Sequence, residues 1–128
     1  MVLAVGLGAA PHSDEALRRA AGTAARAAAG HRRAILALPT PTPSALDAVA
    51  QGAALGAYTY DEYRVASKSG RKNPVGRVLL HVPDAKDAES VAAVARARAI
   101  VSSVSLARDL VNTPPSDLVP ADFVRAAA

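Results

Sequence analysis

The feature that most limits the fold is an alternation. Apolar runs at residues 2–8, 34–38 and 76–82 are separated from one another by stretches with helical periodicity. Short apolar runs closed by Gly or Pro read as buried strands. Strands that alternate with helices need crossover connections, which make neighbouring strands parallel. The expected class is therefore α/β, a mainly parallel sheet with helices on its faces. With 51% hydrophobic but only 3% aromatic residues, its core must be built from Ala, Val, Leu and Ile at close spacing.

Local signals fill in this frame. Ser13 is placed to cap a first helix, with Asp14 and Glu15 in its first turn and Gly30 as its stop. Leu17, Ala20, Ala21, Ala24 and Ala28 share one face, small enough to let that helix lie close on a sheet. Residues 34–38 form a strand ended by the prolines at 39, 41 and 43, which deny backbone donors. Ser44 with Asp47 three residues later reads as a capping arrangement for a second helix reaching about Gly56. Residues 58–65 read as extended, 68–74 as an exposed basic loop and 76–82 as a strand. Asp84 with Asp87 opens the longest helix, reaching about Val111, with Val94, Ala97, Val101, Val104 and Val111 at three-four spacing. Asn112, Thr113, Pro114 and Pro115 end it.

Chemistry is sparse along the chain. The absence of cysteine removes disulfides, thiolate metal sites and thiol nucleophiles. Fifteen basic residues against eleven acids give a net charge of +4 and a pI near 10.0. The arginines are dispersed over helices, whereas phosphate binding needs many charges on one face. No apolar run approaches the ~20 residues that span a bilayer, and residues 1–8 lack the basic start of a secretion signal, so a cytoplasmic protein is the simplest reading. Gly6-Leu7-Gly8 lies where dinucleotide folds cradle a phosphate. Pro11 stands in the third glycine's place and no acid follows Leu38, so a tight turn is the better reading.

His12 with Asp14 and Glu15 is the nearest approach to a metal cluster, but no fourth ligand accompanies it and helix-start acids explain it more simply. His31 reads as solvated, and His81 as packed or hydrogen-bonded within a strand. No serine has a nucleophile-elbow setting. Residues 68–72, with Tyr58, Tyr60 and Tyr63 upstream, form a small basic patch with rings, for which a solvated loop is the plainer account.

Two longer segments carry a resemblance. Ala107-Arg-Asp-Leu-Val-Asn-Thr-Pro-Pro-Ser-Asp-Leu-Val-Pro120 resembles the junction between domains in the leucyl (cytosol) aminopeptidases. There a long helix ends in Asn-Thr-Pro-Pro and the catalytic domain starts. Gln51-Gly-Ala-Ala-Leu-Gly-Ala-Tyr-Thr-Tyr-Asp-Glu-Tyr-Arg64 resembles the family's Glu-Gly-x-x-Leu-Gly-x-Tyr-x-Phe-Asp-x-Tyr-Lys pattern, with departures at Gln51, Tyr60 and Arg64. Val2 to Gly8 also looks like the family's strand ending in Gly-Leu-Gly.

The resemblance implies a macro-domain-like N-terminal domain of a cytoplasmic, usually hexameric metallo-exopeptidase. Such enzymes release N-terminal residues with two divalent ions, commonly zinc, manganese or magnesium. The family's ligand segments, a Gly-Lys-Gly strand and turn and Asn-Thr-Asp-Ala-Glu-Gly-Arg, do not occur here, so no catalytic, cofactor-binding or metal residue carries over. The expected division is residues 1–112 as a partial N-terminal domain, truncated at its start, and 113–128 as the junction to the catalytic domain, its expected partner. Two alternatives stay open: a stand-alone macro-like module binding ADP-ribose or another nucleotide, and a nucleic-acid-binding domain. No membrane partner is expected.

Overall fold

Ser13 accepts the Ala16 N–H at 3.2 Å through its hydroxyl, as an N-cap should, and helix α1 runs Asp14–Ala27. The computed structural model describes residues 1–64 and 70–127. After α1 come strand β1 (Ala34–Leu36), helix α2 (Pro43–Ala57), strand β2 (Val78–Leu80), helix α3 (Ala88–Asn112) and helix α4 (Pro120–Ala127). The strands pair in parallel with Ala34 opposite Val78, Ile35 opposite Leu79 and Leu36 opposite Leu80. The α/β class and the parallel sheet agree with the sequence reading. The core cluster of Leu17, Ala21, Ala24, Leu36, Ala45, Val49 and Ala53, joined by Val78 and Leu80, lies on one side of this sheet. Ile35 and Leu79 alternate to the other side, where they are 70% and 43% exposed.

Two glycines decide how the helices stack. A Cβ on Gly52 would lie 2.0 Å from the Arg18 carbonyl oxygen, and one on Gly56 would lie 2.5 Å from that of Gly22. The register, 18 against 52 and 22 against 56, makes α1 and α2 parallel, with their backbones in direct contact. The alanine face of α1 is buried as expected, but chiefly against α2 and only marginally against the strands. Because Gly52 and Gly56 are one helical turn apart, they clear a groove that the small face of α1 fills. Helix α3 packs on the opposite flank of α2, again in parallel, as the pairing of Asp47 with Arg96 and of Tyr58 with Asp109 shows.

Several local expectations change. Residues 1–8 belong to no strand; Val5 and Leu7 pack partly on the core, while Val2 is 98% exposed. Gly8 does make the turn, with φ at +79°. The cap of α2 is Thr42, not Ser44: the Thr42 hydroxyl accepts the Ala45 N–H at 3.1 Å. Pro43 follows at the first helical position, where its fixed φ suits the helix and its missing N–H is no loss. Ser44 instead donates to the Asp14 carboxylate, joining the starts of the parallel α1 and α2. Asp47 lies one turn in, accepting from Gln51 and Arg96.

Residues 58–61 lack regular structure and a turn follows, closed by Arg64 N–H to the Asp61 carbonyl at 3.2 Å. Lys68 and Ser69 of the expected loop lie outside the described residues, whereas Gly70, Arg71, Lys72 and Asn73 are exposed. Asp87 caps α3 by accepting the Ser90 N–H at 2.8 Å, and Asp84 serves the turn before it. Only Ala93 and Ala97 of α3 are buried. Val104 and Val111, expected on its packed face, are 37% and 84% exposed. Although Arg96 and Arg98 interrupt its apolar sequence, α3 is long and apolar enough by length and composition to cross a membrane. Arg96 is held by Asp47 on α2 at 3.0 Å.

Candidate functional site

The most developed polar constellation lies where α2 and α3 end side by side. The chain leaves α2 at Tyr58, whose hydroxyl donates to Asp109 Oδ1 at 2.6 Å and accepts from Asn112 Nδ2 at 3.3 Å. The Arg108 guanidinium sits over the Tyr58 ring, 3.9 Å from its centroid, where the negative face of the ring attracts it. Two residues on, the Tyr60 hydroxyl is 3.0 Å from the Thr113 Oγ1, which donates to the Asp109 carbonyl at 2.7 Å. The Tyr63 ring lies 6.1 Å from that of Tyr60.

Placing both Tyr58 and Tyr60 of a short irregular segment on the end of α3 requires a sharp end to α2. The tight seat of Gly56 on α1 supplies a fixed point just before it. Partial burial and then the Asp109 carboxylate raise the Tyr58 phenol above its ordinary value of 10.0. The Asp117 carboxylate pushes Tyr63 up to about 12. These hydroxyls are therefore protonated donors throughout the physiological range.

Two shallow cavities flank the helix ends. One, of about 350 Å³, gathers Arg26, Arg71 and Lys72 around the C-terminal ends of the parallel α1 and α2. Their charges oppose the negative ends of two helix dipoles, and Arg71 also pairs with Asp61 at 3.8 Å, which accounts for them without an anionic ligand. The other, of about 300 Å³, lies outside the carboxyl ends of β1 and β2, where α/β sheets hold nucleotides. Its lining includes Asp84, Asp87 and Glu89 and no basic residue. That sign repels a pyrophosphate and tells against the nucleotide-binding alternative.

The residues weighed for chemistry are dispersed. Asp14 is engaged by Ser44, and Glu15 by Arg18 and Arg19, which hold its carboxyl below the usual range. His12 Nδ1 has no hydrogen-bond partner among the described residues. His31 is exposed as expected, and His81, just past β2, is exposed rather than packed, though its backbone N–H continues the ladder to Leu36 at 2.9 Å. Among the described residues no three His, Cys, Asp or Glu side chains could hold a metal ion together. The tyrosines, considered for base stacking, face α3 instead. Sequence reasoning missed their pairing because the partners lie 51 to 54 positions apart, beyond any local periodicity. The signal was present only as two separate motif-like segments that the fold turns out to join.

The architecture and this site define an α/β domain organised around a joint between two helix ends. A model of the cytosol aminopeptidase family, N-terminal domain, matches residues 1–67. A probable cytosol aminopeptidase of Streptomyces avermitilis is 43% identical over 99% of this chain and 27% of its own length. One from Leifsonia xyli is 46% identical over 86% of this chain and 22% of its own. Among solved structures, the bottromycin maturation enzyme BotP superposes with a TM-score of 0.78 at 36% identity, over 94% of this chain and 26% of that one. The same enzyme in complex with Mn gives 0.77 at 34% identity. The chain belongs to the cytosol aminopeptidase family, as its N-terminal domain. It spans roughly a quarter of the length of the relatives it matches.

Proposed function

We propose that this chain serves as the non-catalytic N-terminal part of a cytoplasmic metallo-aminopeptidase, one that releases N-terminal residues from peptides. Residues 1–112 form the supporting domain and 113–128 lead into a catalytic domain. The carrying observation is the end of α3, where Asn112 and Thr113 of the junction-like motif are tied to Tyr58 and Tyr60 of the other family-like segment. A domain whose most organised polar site orients its own outgoing chain suits a module that positions something beyond it. The exposed apolar residues of α3, Ile100, Val104, Leu106 and Val111, offer that further polypeptide a surface to cover.

The two divalent ions expected of the whole enzyme would be held elsewhere than on this chain's described residues. Its acids start helices, pair with Arg96 and Arg71 or bond Tyr58, and among the described residues no three of them converge to hold a metal. The relatives' names support the cytoplasmic reading, and hexamer formation is part of the same proposal. The test joins this chain in frame to the remaining length of the Streptomyces avermitilis relative. With manganese supplied, the fusion should hydrolyse a leucyl amide and assemble as a hexamer in solution. A folded fusion with no turnover, where the relative itself is active, would refute the assignment.

A further inference from the structure

Helix α3 is attached to the rest of the chain in two ways. Its first half buries Ala93 and Ala97 against α2 and adds the Arg96–Asp47 ion pair. Beyond Ala97 no residue of α3 is buried. From there the specific attachment is polar: Arg108 on the Tyr58 ring, Asp109 and Asn112 on the Tyr58 hydroxyl, and Thr113 on that of Tyr60. We infer that Tyr58 and Tyr60 form a releasable latch that holds the second half of α3 and sets the direction of the chain from Thr113 onward. They are positioning residues, and the latch deepens the proposed role without depending on it, because it can be tested in this chain alone.

The physical case rests on what each half would do unaided. A helical stretch of about 12–15 residues without tertiary contacts is marginal in water, and residues 98–112 make one such stretch. Full burial of apolar side chains holds the first half, whereas in the second half Val101 and Leu110 are only half-buried. Hydroxyl bonds and one ring–guanidinium contact can open into water without exposing a core, so the two halves are separable. The outgoing segment is caught as well. Tyr60 binds Thr113 at the start of the Thr113-Pro114-Pro115 turn, so the latch reaches the point where the chain changes direction. The groups facing it are Arg108, Asp109 and Asn112 around Tyr58, and Thr113 at Tyr60.

Hydrogen exchange on the whole chain tests the latch, comparing the native protein with the Tyr58→Phe, Tyr60→Phe double variant. Amides of residues 104–113 should exchange at least about tenfold faster, while those of α1 and the first half of α3 keep their rates. Unchanged exchange at 104–113 would overturn the latch, and an equal acceleration through α1 would overturn its local character. A second measurement is spectroscopic. The chain has three tyrosines and no tryptophan, so absorbance at 295 nm during an alkaline titration reports the tyrosines alone. In the native protein the Tyr58 phenol, identified by its loss in Tyr58→Phe, should ionise above pH 10 and revert to about 10 in urea. A Tyr58 phenol that titrates alike in the native protein and in urea would show that the latch does not form.

Discussion

Replacing Gly52 by Ala puts two effects of opposite sign into direct competition. In a free helix the change is favourable by about 1 kcal/mol, because alanine loses less backbone entropy than glycine. Here the added Cβ would stand 2.0 Å from the Arg18 carbonyl oxygen and 2.8 Å from its carbonyl carbon. Both obstacles are backbone, so no rotamer change relieves them, and α1 must move away from α2. A shift large enough to restore ordinary contact exceeds 1 Å, and radial gaps of 0.5–1 Å already forfeit a quarter to a half of each dispersion contact.

The contacts at stake are those of Leu17, Ala21, Val49 and Ala53, all less than 4% exposed. Overpacking of this kind costs about 1–3 kcal/mol. Taking its upper end and subtracting the helix gain leaves a net loss of about 2 kcal/mol, a large fraction of a total of roughly 5–15. Urea unfolding followed by far-UV circular dichroism measures it, with Gly6→Ala as the control because that Cβ meets nothing within 4 Å. A Gly52→Ala protein as stable as the parent, or more so, would refute the reasoning, since propensity would then outweigh contact and the helices could not lie as described.

Three further outcomes follow from the same structure. Thr42→Ala should cost about 1 kcal/mol, as loss of an N-cap does, and Ser44→Ala less; the reverse order in thermal unfolding would restore Ser44 as the cap. Because the folded phenols of Tyr58 and Tyr63 lie above their unfolded value near 10, their contribution is complete below pH 10. It should fade as pH rises toward about 12; a fall in stability that begins well below pH 10 would have to come from other groups. Trypsin should cut first after Arg71 or Lys72, which are exposed on a loop, and a first cut after Arg96 or Arg98 would mean that α3 is not the stable helix described.

Much of this was legible where the determining contacts are local. The Ser13 cap, the alanine face of α1 and the stop at the Thr-Pro-Pro run depend on residues within one or two turns, and each is found. At residues 2–8 the composition suits a strand, but a strand needs a neighbour to pair with, and pairing is not written in the run itself. The choice between Thr42 and Ser44 as cap hinged on Pro43, whose preference for the first helical position outweighs the Ser44–Asp47 spacing. For α3, three-four spacing marked an apolar stripe correctly but could not say which part of it a neighbour covers. Gly52 and Gly56 were visible as part of a motif, yet their purpose, backbone contact with α1, emerges only when two helices are brought together. The tyrosine joint was hidden for the same reason.

The most direct measurement of the central claim is leucine release from leucinamide by the purified 128-residue chain, with manganese or zinc supplied and metal binding followed by calorimetry. A two-metal hydrolase must hold its ions about 3.5–4 Å apart with converging ligands, and the carboxylates here are dispersed over helix starts and the tyrosine joint. The account predicts no turnover above the metal-only control and no tight, stoichiometric metal binding. Turnover of about 1 per second or faster, accompanied by one or two tightly bound ions per chain, would contradict it.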